Sequence, residues 1–93
     1  MADADLPEPD PARARRLGEV VAVADDSRPG LWLATSLVRA PAPGRVTWLD
    51  NGNALRLALV PAPPGSPARL SAEAMRALGI PLAARPRLIV WRE

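Results

Sequence analysis

An Asn-Gly dipeptide between two alternating segments constrains the fold of this chain more than any other feature. The first segment covers residues 45–49, the turn covers residues 50–53 and the second segment covers residues 54–60. Asn-Gly is the strongest short signal for a β-hairpin, because both residues accept a positive φ. In the second segment leucines alternate with Arg56 and Ala58, so one face is apolar. The pattern therefore predicts a hairpin that buries one side.

Further short apolar segments, separated by proline and glycine, indicate additional strands. Residues 19–24 are rich in valine, residues 31–38 predict one kinked strand or two short ones, and residues 88–91 are apolar on both faces. We interpret residues 40–44 as a break and residues 61–67 as a surface loop. A mainly β fold with about six strands and one helix predicts a small closed barrel, since closure leaves no open edges.

The one helix is predicted over residues 71–78. Ser71 is a good N-cap residue, and Gly79 is well placed to end the helix. The apolar stripe consists of Ala74, Met75 and Leu78. Because the helix has only about two turns, packing against the barrel must hold it.

The chain of 93 residues has room for one small domain and no second core. We expect residues 1–16 to form a disordered or extended Pro-rich acidic tail and residues 17–93 to form a single β-barrel domain. Pro7, Pro9 and Pro11 prevent a helix in the tail. We interpret the tail as a spacer, with a strap laid across a partner or across the barrel as the alternative.

Charge is distributed unevenly along the chain. Residues 1–10 contain four acids and no base, whereas residues 11–93 contain twelve arginines and six acids. A basic body with an acidic tail favours a polyanion or an acidic partner. The alternative is a codon bias toward arginine, since no arginine run exceeds Arg15-Arg16. A nucleic-acid site also requires aromatics among clustered bases, and the three tryptophans are few, which argues against nucleic acid as the partner.

Composition excludes several kinds of chemistry. The chain has no histidine, no cysteine and no lysine. A disulfide, a thiolate nucleophile, a Cys/His zinc site, a Ser-His-Asp triad and an imidazole base are therefore excluded. An amine nucleophile exists only at the N-terminus. We expect no catalytic residue, no metal site and no cofactor.

The order of hairpin, Pro/Gly loop, helix and final apolar strand resembles the double-psi β-barrel domain of rare lipoprotein A. Residues 70–79 (Leu-Ser-Ala-Glu-Ala-Met-Arg-Ala-Leu-Gly) match the helix segment of that family, Asn51-Gly52 matches its hairpin turn, and residues 45–47 match the strand entering the turn. Residues 29–38 resemble a group of small bacterial envelope lipoproteins of the same barrel type. The resemblance covers roughly residues 18–92 and implies a double-psi-like barrel.

This chain lacks residues that the enzymatic members of that family carry. Its lytic transglycosylase members carry an acid in the loop after the hairpin, where residues 60–67 contain none. They carry a histidine after the first barrel strand, at a position that falls within residues 34–36 here. Cleavage of a glycosidic bond needs a proton donor, normally a carboxylic acid of raised pKa. The resemblance thus implies the fold and argues against the activity.

The remaining acids have ordinary interpretations in turns and at the helix. Asp25 and Asp26 lie in a turn with Pro and Gly, Asp50 lies in the hairpin turn, and Glu73 lies near the positive end of the helix dipole. The alternative is a degenerate lytic transglycosylase or hydrolase-like enzyme that uses Asp25 or Asp26. Ser71 is interpreted as a cap and not as a nucleophile, since nothing in the sequence serves as its base.

The tryptophans and arginines supply candidates for binding. We expect Trp91 and Trp48 to lie in the core, whereas the pattern leaves the side of Trp32 open. An exposed Trp32 would stack on a sugar or anchor a partner. Arg39, Arg45 and Arg56 lie on or near the hairpin and would form a patch for a carboxylate or phosphate, with a solvated face as the alternative.

These observations predict a non-catalytic β-barrel module of the bacterial envelope. It would act by protein–protein contact, as an accessory subunit of a larger assembly, or by binding peptidoglycan glycan. A cytosolic nucleic-acid-binding barrel is a further alternative. The acidic residues after Met1 do not form a signal peptide. We expect a periplasmic or outer-membrane-associated protein if an export signal has been removed, and a cytoplasmic one otherwise. Membrane contact would come only through a missing N-terminal anchor.

Overall fold

The fold is a small β-barrel with one helix at its side, seen in a computed structural model that describes residues 14–93. Its elements are β1 (Arg15–Asp25), β2 (Trp32–Thr35), β3 (Ala42–Trp48), β4 (Ala54–Pro61), β5 (Ala68–Ser71), α1 (Ala72–Leu78) and β6 (Arg87–Arg92). The predicted tail over residues 1–16 lies mostly outside the described residues, and β1 already begins at Arg15.

The six strands close into a barrel in the order β1-β5-β2-β4-β3-β6, with β6 returning to β1. β1 pairs with β5 and β2 with β4 in parallel, whereas the other neighbours are antiparallel. Consecutive strands β1 and β2 are therefore separated by β5, and β2 and β3 by β4. The expected six-stranded β-barrel with one short helix is confirmed.

Apolar side chains from the inward face of each strand fill the barrel. The largest fully buried ones are Leu33, Leu59, Leu70, Leu88, Val46 and Val90, and Met75 of α1 joins them. On the paired strands β3 and β4, Val46 lies opposite Leu55, and Leu57 lies opposite Gly44, which confirms the predicted apolar face of the hairpin. The interior is a packed core, as is usual for a barrel of this size.

The helix begins and ends where the sequence predicts. Ser71 is the N-cap, and its hydroxyl accepts a hydrogen bond from the Ala74 amide at 3.1 Å. Gly79 ends the helix at φ +79°, a left-handed conformation that suits glycine. Met75 and Leu78 are buried against the barrel, so packing holds this short helix.

Two local predictions differ from the structure. In the hairpin loop only Gly52 has a positive φ, and the Asn51 side chain accepts a hydrogen bond from the Asn53 amide instead. The loop is therefore longer than a two-residue turn, because the Trp48 amide donates to the Asn53 carbonyl. The predicted break over residues 40–44 was wrong, since β3 begins at Ala42. Pro43 is tolerated near the start of the strand, where its carbonyl accepts from the Glu93 amide.

The prediction that Trp91 lies in the core was also wrong. Along β6, Leu88 and Val90 are fully buried, whereas Ile89 and Trp91 are half-buried on the outer face. The reason is the strict alternation of a strand, which sends neighbouring side chains to opposite sides even when all are apolar. Trp48 does pack against the core, although it is only partly buried.

Candidate interaction surface

A row of three arginines and one tryptophan crosses four neighbouring strands on the outside of the barrel. Arg16 of β1 lies opposite Trp91 of β6, Trp91 lies opposite Arg45 of β3, and Arg45 lies opposite Arg56 of β4. A register shift between Arg16 and Gly18 lets Leu17 pack against the core while Arg16 keeps its place beside Trp91. We call the row of Arg16, Trp91, Arg45 and Arg56 the arginine face.

Side-chain contacts hold much of the arginine face in place. The indole nitrogen of Trp91 donates to the Thr47 hydroxyl at 3.3 Å. Arg56 makes a two-pronged contact with Glu93, Nε to Oε2 at 2.7 Å and Nη2 to Oε1 at 2.9 Å. Both of those side chains are only 22% exposed, so the planar guanidinium is fixed in position. Arg16 pairs at 3.2 Å with Glu19 in a solvated contact.

Positive charge is concentrated at this end of the barrel. Arg45 and Arg56 lie directly opposite each other, and so do Arg15 and Arg92. Like charges in such cross-strand positions are destabilising. Among residues 14–93, the surroundings contain five arginines (Arg15, Arg16, Arg45, Arg56 and Arg92) against the two glutamates Glu19 and Glu93. The surface therefore favours a negatively charged partner.

An open apolar groove adjoins the arginine face at Arg56. Its volume is about 520 Å³, and its lining residues are Pro41, Ala42, Pro43, Gly44, Arg56, Leu57, Ala58 and Glu93. Pro41, Pro43 and Ala58 are exposed there, whereas the ion pair of Arg56 and Glu93 forms a polar border. The groove can therefore accept a small apolar side chain beside a charged one.

The other charged region of the barrel lies in the turn between β1 and β2 and at the start of α1. Here the Asp25 carboxylate accepts from the Ser27 amide at 2.7 Å and pairs with Arg69 at 3.3 Å. The Ser27 hydrogen bonds hold the pKa of Asp25 below its ordinary value, and Arg69 adds to the effect. Asp25 is therefore ionised at neutral pH and does not suit the role of a proton donor.

Glu73 and Trp32 belong to the same region. We call this region the turn cluster, and its members are Asp25, Arg28, Trp32, Arg69 and Glu73. The Glu73 carboxylate accepts from the Gly30 amide at 2.6 Å. The Arg28 guanidinium lies 4.7 Å from the centre of the Trp32 ring, and the indole nitrogen donates to the Arg28 carbonyl at 3.4 Å. A shallow groove of about 320 Å³ is lined by Arg28, Glu73 and Arg76 among others.

Trp32 is 6% exposed, so the hypothesis of an exposed stacking ring does not hold. Its amide donates to the Ser71 hydroxyl at 3.2 Å, which fastens β2 to the start of the helix. The Arg28 side chain lies over the Trp32 ring and shields the ring from solvent. Within residues 14–93, no group of three or more histidine, cysteine, aspartate or glutamate side chains is arranged to hold a metal ion.

The structure brings together only part of the predicted binding set. Arg45 and Arg56 face each other, but Arg39 lies in the exposed segment between β2 and β3, outside the strand pairing. The prediction omitted Arg16 and Trp91, which complete the arginine face. The alternation along residues 88–91 could have placed Trp91 on the opposite side from Val90, but the pairing of β6 with β1 and β3 cannot be read from local patterns.

Comparison with protein-family models, with curated proteins and with solved structures found no match to this chain. Among residues 14–93, α1 is far too short to span a bilayer, and no helix there has the length and apolar character that crossing a membrane would require.

Proposed function

We propose that this protein is a non-catalytic β-barrel module that binds an acidic segment of a protein partner through the arginine face. The observation that carries the proposal is the register of Arg16, Trp91, Arg45 and Arg56 on four consecutive strands. Barrel strands form a rigid platform: Arg45 and Arg56 start from neighbouring strands about 4.8 Å apart, and Arg16 starts two strands, about 10 Å, from Arg45. Such spacing suits the carboxylates of an extended acidic peptide.

The mixture of charges supports a protein partner over a nucleic acid or a glycan. Glu19 and Glu93 contact two of the arginines, and glutamates beside the binding groups disfavour a continuous phosphate backbone. A glycan site requires an open aromatic ring, whereas Trp32 is buried and Trp91 is half-buried with its nitrogen bonded to Thr47. Arginine and tryptophan together are typical of protein interfaces.

The lowered pKa of Asp25 supports the proposal that the module is non-catalytic. A general acid of a glycosidase needs a raised pKa, and the environment of Asp25 lowers its pKa. The resemblance to rare lipoprotein A, carried by residues 70–79 and Asn51-Gly52, is the basis for placing the module in the bacterial envelope as an accessory subunit. In that setting it would contact another envelope protein.

The test is the affinity of the full chain for an oligoglutamate peptide, with an oligoglutamine peptide of equal length as the reference. We expect binding of oligoglutamate that weakens as salt is added. Replacement of Arg45 by glutamine should reduce the affinity about tenfold, because a charge-assisted contact is lost. The matched control is Arg85→Gln, which removes the same charge from the exposed segment after α1.

Equal losses for Arg45→Gln and Arg85→Gln would contradict a defined site, since they would indicate attraction to net charge alone. Preference for oligoglutamine would contradict the acidic partner. Cleavage of peptidoglycan by the purified protein, lost on Asp25→Ala, would replace the proposal by the hydrolase alternative. Circular dichroism of each variant would check that the barrel is intact.

A further inference from the structure

The apolar groove beside Arg56 has a surface of small side chains. Pro43 of β3 lies directly opposite Ala58 of β4, and both are exposed on the outside of the barrel. The exposed Pro41 continues this apolar surface just before the start of β3. Because none of these three side chains is larger than a proline ring, the groove keeps a volume of about 520 Å³, which is ample for one large side chain of another molecule.

The polar border of the groove is held in place by two sets of contacts. The Glu93 amide donates to the Pro43 carbonyl at 3.1 Å, which fixes the end of the chain beside the groove. The Glu93 carboxylate accepts from Arg56 at 2.7 Å and 2.9 Å. A ligand can fill the groove without breaking this ion pair, since the pair forms the border and not the apolar surface. The groove is therefore preformed, which lowers the cost of binding.

The groove lies one strand repeat away from the arginine face. Pro43 precedes Arg45 by two residues along β3, and Ala58 follows Arg56 by two residues along β4. Successive outward positions of a strand are about 6.8 Å apart, and an extended peptide has the same repeat. When an acidic side chain of an extended segment lies on the pair of Arg45 and Arg56, the residue two positions away can therefore lie over the groove.

The composition of the groove favours an aromatic side chain. Proline rings and aromatic rings pack against each other where Pro-rich segments dock in aromatic grooves, and here Pro41 and Pro43 belong to the groove itself. An aromatic side chain also brings a large apolar area at little cost in conformational entropy, because only two of its torsion angles become fixed. Aromatic residues are accordingly typical anchors of protein interfaces.

We infer that the acidic partner segment carries an aromatic residue two positions from one of its acids, and that the ring of this residue occupies the groove over Pro43 and Ala58. This inference rests on the proposed function, because an acid on the arginine face places the ring. The arginine face attracts acidic segments in general, whereas the groove selects among them. Specificity of this kind is a difference of affinities that charge alone does not supply.

The experiment uses the full chain and three amidated oligoglutamate peptides of equal length and charge. The first ends in Gly-Phe, which places the ring two positions after the last glutamate. The second ends in Phe-Gly, with the ring next to that glutamate, and the third ends in Gly-Ala. We expect the Gly-Phe peptide to bind about tenfold more tightly than the Gly-Ala peptide, the effect of burying part of one ring, and the Phe-Gly peptide less than about threefold more tightly. Equal affinities of the Gly-Phe and Phe-Gly peptides would overturn the inference.

The substitution Ala58→Leu tests where the ring binds. Leucine at this exposed position fills the groove, so the ratio of the Gly-Phe affinity to the Gly-Ala affinity should fall to about one. The matched control Ala83→Leu makes the same change in the exposed segment after α1 and should keep the ratio near about ten. A ratio that Ala58→Leu does not lower would overturn the inference, because the ring would then bind elsewhere. The comparison of the three peptides uses the unaltered chain and does not depend on the folding of a variant.

The Gly-Ala peptide separates this inference from the proposed function. If the Gly-Ala peptide binds in a salt-dependent manner and the Gly-Phe peptide binds no more tightly, the proposed function stands and the inference fails. If only the Gly-Phe peptide binds, and Ala58→Leu abolishes that binding, the groove takes the ring and the proposed acidic partner is wrong. If none of the peptides binds, both are wrong.

Discussion

The turn cluster and the arginine face are both charged, but they use their charges in opposite ways. In the turn cluster, Asp25 accepts from the Ser27 amide and Glu73 accepts from the Gly30 amide, so each carboxylate satisfies the backbone. On the arginine face, Arg56 pairs with Glu93 but also lies directly opposite Arg45, and like charges in such cross-strand positions repel each other. The first region's charges therefore stabilise the fold, and the contrast supports the proposal that the second region's charges serve recognition.

The largest expected effect comes from forcing apart the paired strands β3 and β6, which carry part of the arginine face. A Cβ at Gly44 would come within 2.6 Å of the Trp91 carbonyl oxygen and 2.5 Å of a Leu59 methyl carbon. Gly44→Ala should therefore separate β3 from β6 and lower the free energy of unfolding by about 3 kcal/mol, as overpacking does. Urea denaturation measures this loss.

The control for that substitution is Gly65→Ala in the loop after β4. No atom lies within 4 Å of a Cβ there, and only the positive φ of +84° opposes alanine. The expected loss is about 1 kcal/mol. If Gly44→Ala cost no more than Gly65→Ala, the close approach of β3 and β6 would be contradicted.

The next largest effect is expected at Ser71, which links β2 to the start of α1 beside the turn cluster. The fully buried Ser71 hydroxyl accepts from the Ala74 amide and from the Trp32 amide. Removing it in Ser71→Ala leaves two buried donors without a partner and should lower the free energy of unfolding by about 2 kcal/mol. Ser36→Ala, at an exposed position between β2 and β3, serves as the control, at less than about 0.5 kcal/mol. Similar losses at both positions would argue against the link between β2 and α1.

A smaller effect follows from the ionisation of Asp25. Its pKa is lower in the folded protein than in the unfolded chain, chiefly because of the hydrogen bonds from Ser27. The carboxylate therefore stabilises the fold above the ordinary pKa of about 4, and this contribution is lost as the pH falls through the lowered value. Asp25→Asn should flatten the acid limb of stability against pH, measured by thermal denaturation. An unchanged acid limb would show that Asp25 does not contribute.

The smallest effect on stability is expected on the arginine face itself. Arg45→Gln removes one of two like charges that lie opposite each other, so the free energy of unfolding should change by less than about 0.5 kcal/mol. Arg87→Gln, an exposed arginine on β6, is the matched control. Chemical denaturation of both variants gives the comparison. A loss of more than about 1 kcal/mol for Arg45→Gln alone would make Arg45 a structural residue and weaken the contrast between the regions.

Local signals predicted most of the fold. The alternation of leucines with Arg56 and Ala58 gave the buried side of the hairpin, and Ser71 and Gly79 gave both ends of the helix. These signals work because each depends on a few neighbouring residues. The start of β3 at Ala42 was missed because proline normally ends a strand, whereas here tertiary pairing includes Pro43.

The candidate site could be predicted only in part, because it depends on which strands are neighbours. Arg45 and Arg56 were found since they belong to one hairpin. Arg16 joins them only through β6, whose pairing with both β1 and β3 closes the barrel. Trp91 was misplaced because an apolar strand gives no signal for which face is outside.

An NMR titration of the isotope-labelled full chain with oligoglutamate tests binding at the arginine face most directly. We expect the largest shifts at the Trp91 indole N–H and at the amides of Arg16, Arg45 and Arg56, on four strands that are neighbours only in the closed barrel. Largest shifts at Asp25, Arg28, Arg69 and Glu73, in the turn cluster, would contradict the proposal.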